Sequence, residues 1–355
     1  MLAVGADQAL AFRVAGHHLD RRIDAAQAVA AIGLQEYPPG WGCLAALRAR
    51  SLDPLPSDVV QVNSFRGVPY VVPGADARIF TAALVPEDEA GLKSLVGSAP
   101  AKEVIEEGYE VGEALSLVAS AAREGLASGP VDRDAFHQAM RERLPDGLLP
   151  WCRGCQSHHV RPGFWRALGP LEVTVMPEKA TWALADPPSM SLHDARAELA
   201  RRFLRVYGPA THSQLASWAR TAASHAKKLF EAIKDELAPA AVEGRRGFVL
   251  ASDLDRLESP PAASGVRLLG GHDPYVAQPD RSTLVPDAAV RKRLFPPVGR
   301  PGVVLADGVV GGLWRGHKKG DVLEVSVEWL GPPVGIDEEA SAIATLRECT
   351  SARVV

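Results

Sequence analysis

Residues 198–253 constrain the fold more than any other stretch, because their periodicities read in order as helix, turn, helix and basic-tipped hairpin. Leu199, Phe203, Leu204 and Tyr207 form an apolar stripe at helical spacing, and Gly208-Pro209 stops that helix. Thr211-His212-Ser213-Gln214 has the form of a capping box, in which Thr211 accepts from a free backbone amide and Gln214 reaches back to the cap. A helix through Leu215, Trp218 and Ala219 follows. Beyond Thr221, the residues Ala226, Leu229, Phe230, Ile233 and Leu237 make one apolar face and leave His225, Lys227, Lys228 and Lys234 on the other. A recognition helix needs that division, one face for its own domain and ammonium groups for phosphates. Ala240-Ala241-Val242 and Phe248-Val249-Leu250 then flank Glu243-Gly244-Arg245-Arg246-Gly247, which puts two Arg at the tip of a tight turn. This is the order of a winged helix, a fold that commonly meets DNA.

The rest of the chain is large enough to hold more than one such unit. At 355 residues, 46% of them hydrophobic, it buries a sizeable core and divides into two or more domains. No run of about 18 apolar residues is present, and Met1-Leu2-Ala3-Val4-Gly5 lacks the basic start of a signal peptide. The expectation is a cytoplasmic, monomeric protein with no membrane association. Four Cys in a chain of this length are too few for a disulfide framework. The net charge of -4 argues against a surface that is basic all over, but the charges are unevenly placed. Residues 87–124 carry nine acidic against three basic side chains, residues 196–256 seven against eleven, and residues 281–320 two against eight. Positive charge gathers in the second half, as an electrostatic footprint for nucleic acid would.

Along the chain, residues 9–19 read as a helix, and Asp24 caps a second one that Gly33 ends. Gln35-Glu36-Tyr37-Pro38-Pro39-Gly40 is non-helical, since Pro drives its predecessor out of the helical region, and a helix resumes over 41–50. Arg66-Gly67-Val68-Pro69-Tyr70-Val71-Val72-Pro73 reads as an edge strand or a wing. Helices are expected at 111–127 and 134–143, a linker at 259–265, and a β-meander over 303–329 followed by a helix over 336–348. The fold class expected is therefore α+β, with three tandem winged-helix units and a C-terminal antiparallel β-meander. The divisions are 1–85, 86–195, 196–258 and 265–355.

Three segments resemble the AlkZ/YcaQ-like DNA glycosylases. They are 203–211 (FLRVYGPAT), 268–275 (LLGGHDPY) with Asp280-Arg281, and 66–73 (RGVPYVVP). The resemblance implies tandem winged helices around a DNA-binding concavity, and removal of alkylated bases, bulky adducts included. It also implies a catalytic Gln-x-Gln or Gln-x-Asp motif after an early helix, and the matching place here is Gln35-Glu36-Tyr37. Gln35 matches the first position and Tyr37 departs at the second. Base excision needs a group that orients water near the sugar carbon, so the candidates are Gln35 with the Tyr37 hydroxyl or the Glu36 carboxylate. His17 and His18, one helix earlier, are either drawn into that pocket or lie on the surface. Lys227, Lys228, Arg245, Arg246, Arg291, Lys292 and Arg293 are the expected contacts to double-stranded DNA. The alternative is a non-catalytic DNA-binding protein, a regulator or lesion sensor, that kept the scaffold and lost the second catalytic residue.

Trp151-Cys152-Arg153-Gly154-Cys155-Gln156-Ser157-His158-His159 is the densest cluster of metal-ligating types. Cys-x2-Cys around a Gly makes a knuckle that aims two sulfurs at one point, as a structural zinc requires. Only one of His158 and His159 fits such a site, and a remote donor such as His137, His193 or Cys43 completes it. A redox pair and plain packing thiols are the competing readings. No dinucleotide fingerprint or phosphate-binding loop is present, so no nucleotide cofactor is expected, and none is required for catalysis. His272-Asp273 reads as a turn-stabilising pair, Asp280-Arg281 as an ion pair, and Trp218, Trp314 and Trp329 as core.

Overall fold

The computed structural model describes residues 1–355, and the chain forms two compact units that each draw on separated segments. One comprises Met1–Ser57, Arg201–Gln214 and Lys234–Val355; the other comprises Asp58–Ala200 and Leu215–Ile233. These units cut across the four divisions read from the sequence. The fold is mixed α and β, with a C-terminal meander where alternation placed it. No helix is long and apolar enough to cross a membrane.

The first unit is built on two sheets. Leu237–Val242 and Arg245–Leu250 form a hairpin, and Leu2–Val4 joins its outer edge in parallel, a strand the sequence reading left out. The second sheet runs Val266–Leu269, Gly302–Ala306, Val309–Lys319 and Val322–Trp329 antiparallel, then adds Ser351–Val354 in parallel. Alternation along these strands divides the core between two faces. Leu269, Val303, Leu305 and Leu313 pack with Val14, Tyr275 and Leu294, while Leu268, Val304, Trp314 and Leu323 pack with Ile336, Ala340 and Ile343 of the C-terminal helix region. Each fully buried Leu or Val contributes roughly 1.5–3 kcal/mol to that sheet. The capping box is formed as its sequence requires: the Gln214 amide donates to Thr211 Oγ1 at 3.2 Å and Thr211 N donates to Gln214 Oε1 at 2.8 Å.

The second unit packs helices Glu89–Val96, Ser98–Glu106, Val111–Gly125, Arg133–Arg141 and Pro162–Ala167 around Val104, Leu115, Val118, Phe136, Met140 and Phe164. Asp88 and Asp132 cap two of these helices by accepting from the Gly91 and Ala135 amides. Two short hairpins, Val59–Asn63 with Pro69–Pro73 and Thr174–Val175 with Thr181–Leu184, are bridged at Gln61 and Met176. Trp218 is buried against Phe65 at 4.2 Å, in the core role its periodicity gave it.

His17 is neither a surface histidine nor a part of the Gln35 turn. It follows helix Ala6–Gly16, is 1% exposed, and stands edge-on between Tyr207 at 5.0 Å and Tyr275 at 5.5 Å. Neither ring nitrogen has a hydrogen-bond partner. Burial, with Arg50, His18 and Arg13 adding repulsion, holds its pKa well below the ordinary imidazole value. The unfolded chain therefore takes up a proton that the folded chain refuses. The stability this group contributes is full above about pH 6.5 and declines as pH falls below it. The decline is up to about 1.4 kcal/mol per pH unit. We expect His17→Leu to flatten that slope, measured by urea denaturation at about pH 7 and about pH 5.5; parallel slopes in variant and wild type would refute the assignment.

Candidate active-site cleft and basic surface

The Gln35-Glu36-Tyr37 turn is positioned by the helices on either side. Asp24 accepts from the Gln27 amide to start helix Ala25–Ile32, and Gly33 ends it at φ 70°, where glycine avoids Cβ strain. Leu34–Gln35 is then extended and buried, with Gln35 6% exposed. Glu36 turns onto its own backbone: Oε1 accepts from Gly40 N at 2.5 Å and Oε2 from Cys43 N at 3.0 Å. The carboxylate thus satisfies amides at the start of helix Gly42–Arg48, where an anion is favoured. Glu36, expected as an alternative water-orienting carboxylate, is thus turned onto the backbone of its own turn. Gly42 allows the turn to close, since a Cβ there would meet the Tyr37 backbone at 2.4 Å.

Tyr37 is 49% exposed, and its ring meets His272 edge-on, with centroids 4.5 Å apart. Both line a cleft of about 310 Å³ together with Trp41, Arg300, Arg315 and Arg347, and no carboxylate lines it. Arg315 donates to the Gly299 carbonyl at 2.8 Å, and Arg347 donates to Gly316 at 2.9 Å while its guanidinium lies 5.3 Å from the Trp41 ring. Trp314 forms part of the wall: its Nε1 donates to the Leu269 carbonyl at 2.9 Å, and a Cβ on Gly302 would lie 2.2 Å from it. Aromatic faces and guanidinium groups around one space suit an aromatic, anionic ligand. Gln35 is not among the lining residues.

Sequence reasoning missed this cleft. His272 was read only as a turn partner of Asp273, whereas Asp273 pairs with Arg50 through two 2.8 Å contacts and accepts from Tyr275 N at 2.9 Å. The available signal was the basic excess over 281–320, which holds Arg300 and Arg315. Asp280 also pairs differently from its sequence reading. It meets Arg13 at 3.1 Å and Arg245 at 2.9 Å, and Arg281 stands over the Phe295 ring. Burial pushes the Asp280 carboxyl up, but Arg13, the Thr283 hydroxyl and Arg245 outweigh it and hold the pKa at about 2.

The residues expected to contact DNA fall into two groups. Arg245 is held by Asp280, Ser282 and Thr283, Arg291 by the Val285 and Pro286 carbonyls, Arg293 by Glu328 at 2.8 Å, and Lys228 by Glu87 at 3.2 Å. Lys227, Arg246 and Lys292 are exposed. Glu243 and Gly244, at φ 48° and 79°, form the two-residue turn, so Arg245 and Arg246 lie in the strand and not at the tip. His225, read as part of the polar face, is 2% exposed with Nε2 2.8 Å from the Ala83 carbonyl.

In the Cys/His segment, Trp151 pairs with His158 and Cys152 with Ser157 across a short hairpin. Side chains alternate between faces, so Trp151 and His158 share one side and Cys152 and Ser157 the other. The donor atoms of Cys152, Cys155 and His159 all lie within 4.8 Å of one another, while His137, His158, His193 and Cys43 fall outside that group. His158, on the Trp151 face of the hairpin, has its Nδ1 2.7 Å from the Leu149 carbonyl and its ring 5.1 Å from Trp151. The Cys155 amide, followed by His159 and the Cys155 side chain, draws the Cys152 thiol down to about 7. Its partner Cys155 is raised by the neighbouring Cys152 sulfur. His137 lies flat on Trp165 at 4.3 Å with its ring 5.6 Å from that of His159.

Comparison with known proteins agrees with this architecture. Residues 44–349 match the family described as "DNA glycosylase AlkZ-like". The "Interstrand DNA cross-link repair glycosylase" of Streptomyces sahachiroi is 32% identical over 147 residues, a match spanning 38% of this chain and 37% of that relative. The solved structure of Streptomyces sahachiroi DNA glycosylase AlkZ has a TM-score of 0.76 at 19% identity, with each chain fully covered, and so shares the fold. The match over most of its length establishes that this chain belongs to the AlkZ-like DNA glycosylase family.

Proposed function

We propose that the chain is a monofunctional DNA glycosylase that hydrolyses the N-glycosidic bond of N7-alkylated purines in duplex DNA, bulky adducts included, in repair or self-protection. The aromatic and arginine-lined cleft beside the Gln35-x-Tyr37 turn carries the reading, because it offers faces for a base and donors for phosphate in a chain of this family. An N7-alkylpurine is already cationic and departs as a neutral base. The protein then has to orient water and tolerate the positive charge that develops on the sugar, with no strong base needed. Gln35 and the Tyr37 hydroxyl hold that water, with His272 against the Tyr37 ring fixing its direction. The Tyr37 hydroxyl both donates and accepts hydrogen bonds, so its role is to position water. Arg300, Arg315 and Arg347 engage phosphates, since a guanidinium at the sugar carbon would oppose the developing cation.

Three successions of helices followed by a hairpin support a tandem winged-helix reading. They end at Pro69–Pro73, Thr181–Leu184 and Arg245–Leu250. Exposed Lys227, Arg246 and Lys292 contact the backbone of double-stranded DNA, and the protein works as a cytoplasmic monomer without a catalytic cofactor. A bulky adduct projecting into a groove is reached without extruding the base. The relative named as acting on interstrand cross-links is consistent with substrates of this size.

The absence of a carboxylate from the cleft and the use of Glu36 as a backbone acceptor favour a second reading, a DNA-binding protein without catalysis. A base-release assay separates them, using duplexes that carry N7-methylguanine or bulkier N7 adducts. Abasic sites formed above the spontaneous rate support the glycosylase. Salt-sensitive binding without release from any adduct supports the second reading.

A further inference from the structure

We propose that Cys152, Cys155 and His159, with His137 as fourth donor, form a structural zinc site that fastens the hairpin of residues 151–158 to helix Arg133–Arg141. Three donors already converge to within 4.8 Å of one another. A tetrahedral zinc, with thiolate at about 2.3 Å and imidazole at about 2.0 Å, holds its donors roughly 3.3–3.8 Å apart, so a small contraction completes the three. The local backbone is shaped for it: Gln156 takes φ 50° just after Cys155, which turns the chain back and brings His159 onto the sulfurs' side. His159 Nδ1 sits 2.8 Å from the Val160 carbonyl, so this nitrogen carries the proton and Nε2 offers the lone pair. A backbone carbonyl behind the ring is the usual support for a metal-binding histidine.

His137 is the fourth donor because its half-buried ring neighbours that of His159 and its buried Nδ1 has no hydrogen-bond partner. Two sulfurs and one imidazole converge with no carboxylate among them, and His137 as the second imidazole gives a donor set that selects zinc over calcium or magnesium. The hairpin also needs a fastening. It has two residues per strand, Trp151 is 52% exposed and Cys155 is exposed, so little apolar burial holds it in place.

The test uses the full chain, purified under reducing conditions without chelator, and cobalt as a spectroscopic substitute. About one zinc per chain is expected, along with sulfur-to-cobalt charge-transfer bands and the visible bands of tetrahedral cobalt. Cys152→Ser or Cys155→Ser should weaken the charge-transfer bands. His137→Ala should keep them but lower cobalt affinity by about tenfold or more. A readout that needs no variant is thiol alkylation, which zinc should suppress at Cys152 and Cys155 and a chelator should restore. Equal alkylation with and without zinc, or a Cys152–Cys155 disulfide that persists in a thiol buffer, overturns the site. Unchanged cobalt affinity in His137→Ala overturns the fourth ligand.

Discussion

Gln35→Ala is expected to slow base release from an N7-alkylguanine duplex by at least about 100-fold, within the range by which positioned polar groups assist proton-coupled steps. Gln35 is 6% exposed and follows a helix whose start is tied by Asp24 and whose end is set by Gly33, so its amide is held by the fold. Alanine removes both the donor and the acceptor that would orient water, and the Glu36 carboxylate beside it is turned onto the Gly40 and Cys43 amides. Duplex affinity should stay within about twofold, since the phosphate contacts lie on other side chains. Tyr37→Phe keeps the ring against His272 and removes only the hydroxyl, so a smaller loss, about tenfold, is expected. Thermal melting run beside the assay separates lost chemistry from lost fold. A folded Gln35→Ala protein that releases base at more than about a third of the wild-type rate would end the assignment.

The local signals in this chain were legible because they depend on neighbours in sequence. The Thr211/Gln214 box, the Asp24 cap, the Gly33 stop and the strand alternation of 303–329 all formed where those residues placed them. The parts that were not legible depend on residues brought together from afar. Leu2–Val4 has no strand signal of its own and becomes one by pairing with Ala240–Val242 through the chain fold. His225 sits at a helical position that reads as polar face, yet the Ala83 carbonyl, 142 residues away, gives its ring a buried partner. The cleft shows the same limit, since Tyr37, His272 and Arg347 are separated by most of the chain. His158 illustrates the converse. A two-residue strand pairing put His158 on the Trp151 side while His159 lies near both sulfurs, and the composition of residues 151–159 carried no trace of that difference.

The placement of positive charge has a different meaning in the folded chain. Arg245, Arg291, Arg293 and Lys228, expected to face DNA, each meet an acceptor of their own chain. Exposed ion pairs such as Lys228 with Glu87 are worth little and are readily exchanged for a phosphate. Arg245 is different, because it shares Asp280 with the buried Arg13. Its substitution would disturb the fold as well as any contact with DNA, which makes Lys227, Arg246 and Lys292 the cleaner probes of binding.

Asp273→Ala is expected to cost about 3–5 kcal/mol of stability, the usual loss when one partner of a buried ion pair is removed. The carboxylate is fully buried, and Arg50 at 2% exposure donates to both of its oxygens at 2.8 Å while also donating to the Ala46 carbonyl at 2.7 Å. Without Asp273 the guanidinium stays buried with no counter-charge, and the cost of that outweighs the lost hydrogen bonds. The asymmetry supplies the check: Arg50→Met with Asp273→Leu removes both charges and should recover most of the loss, as apolar replacements of buried pairs commonly do. Urea midpoints of the single and double variants measure it. A double variant as unstable as Asp273→Ala would mean that the packing around the pair, and not its charges, is what the fold needs. The same pair reaches the cleft, because Asp273 follows His272 directly and also accepts from the Tyr275 amide. In the double variant, stability restored without base release would therefore show that the ion pair serves to hold His272 against Tyr37.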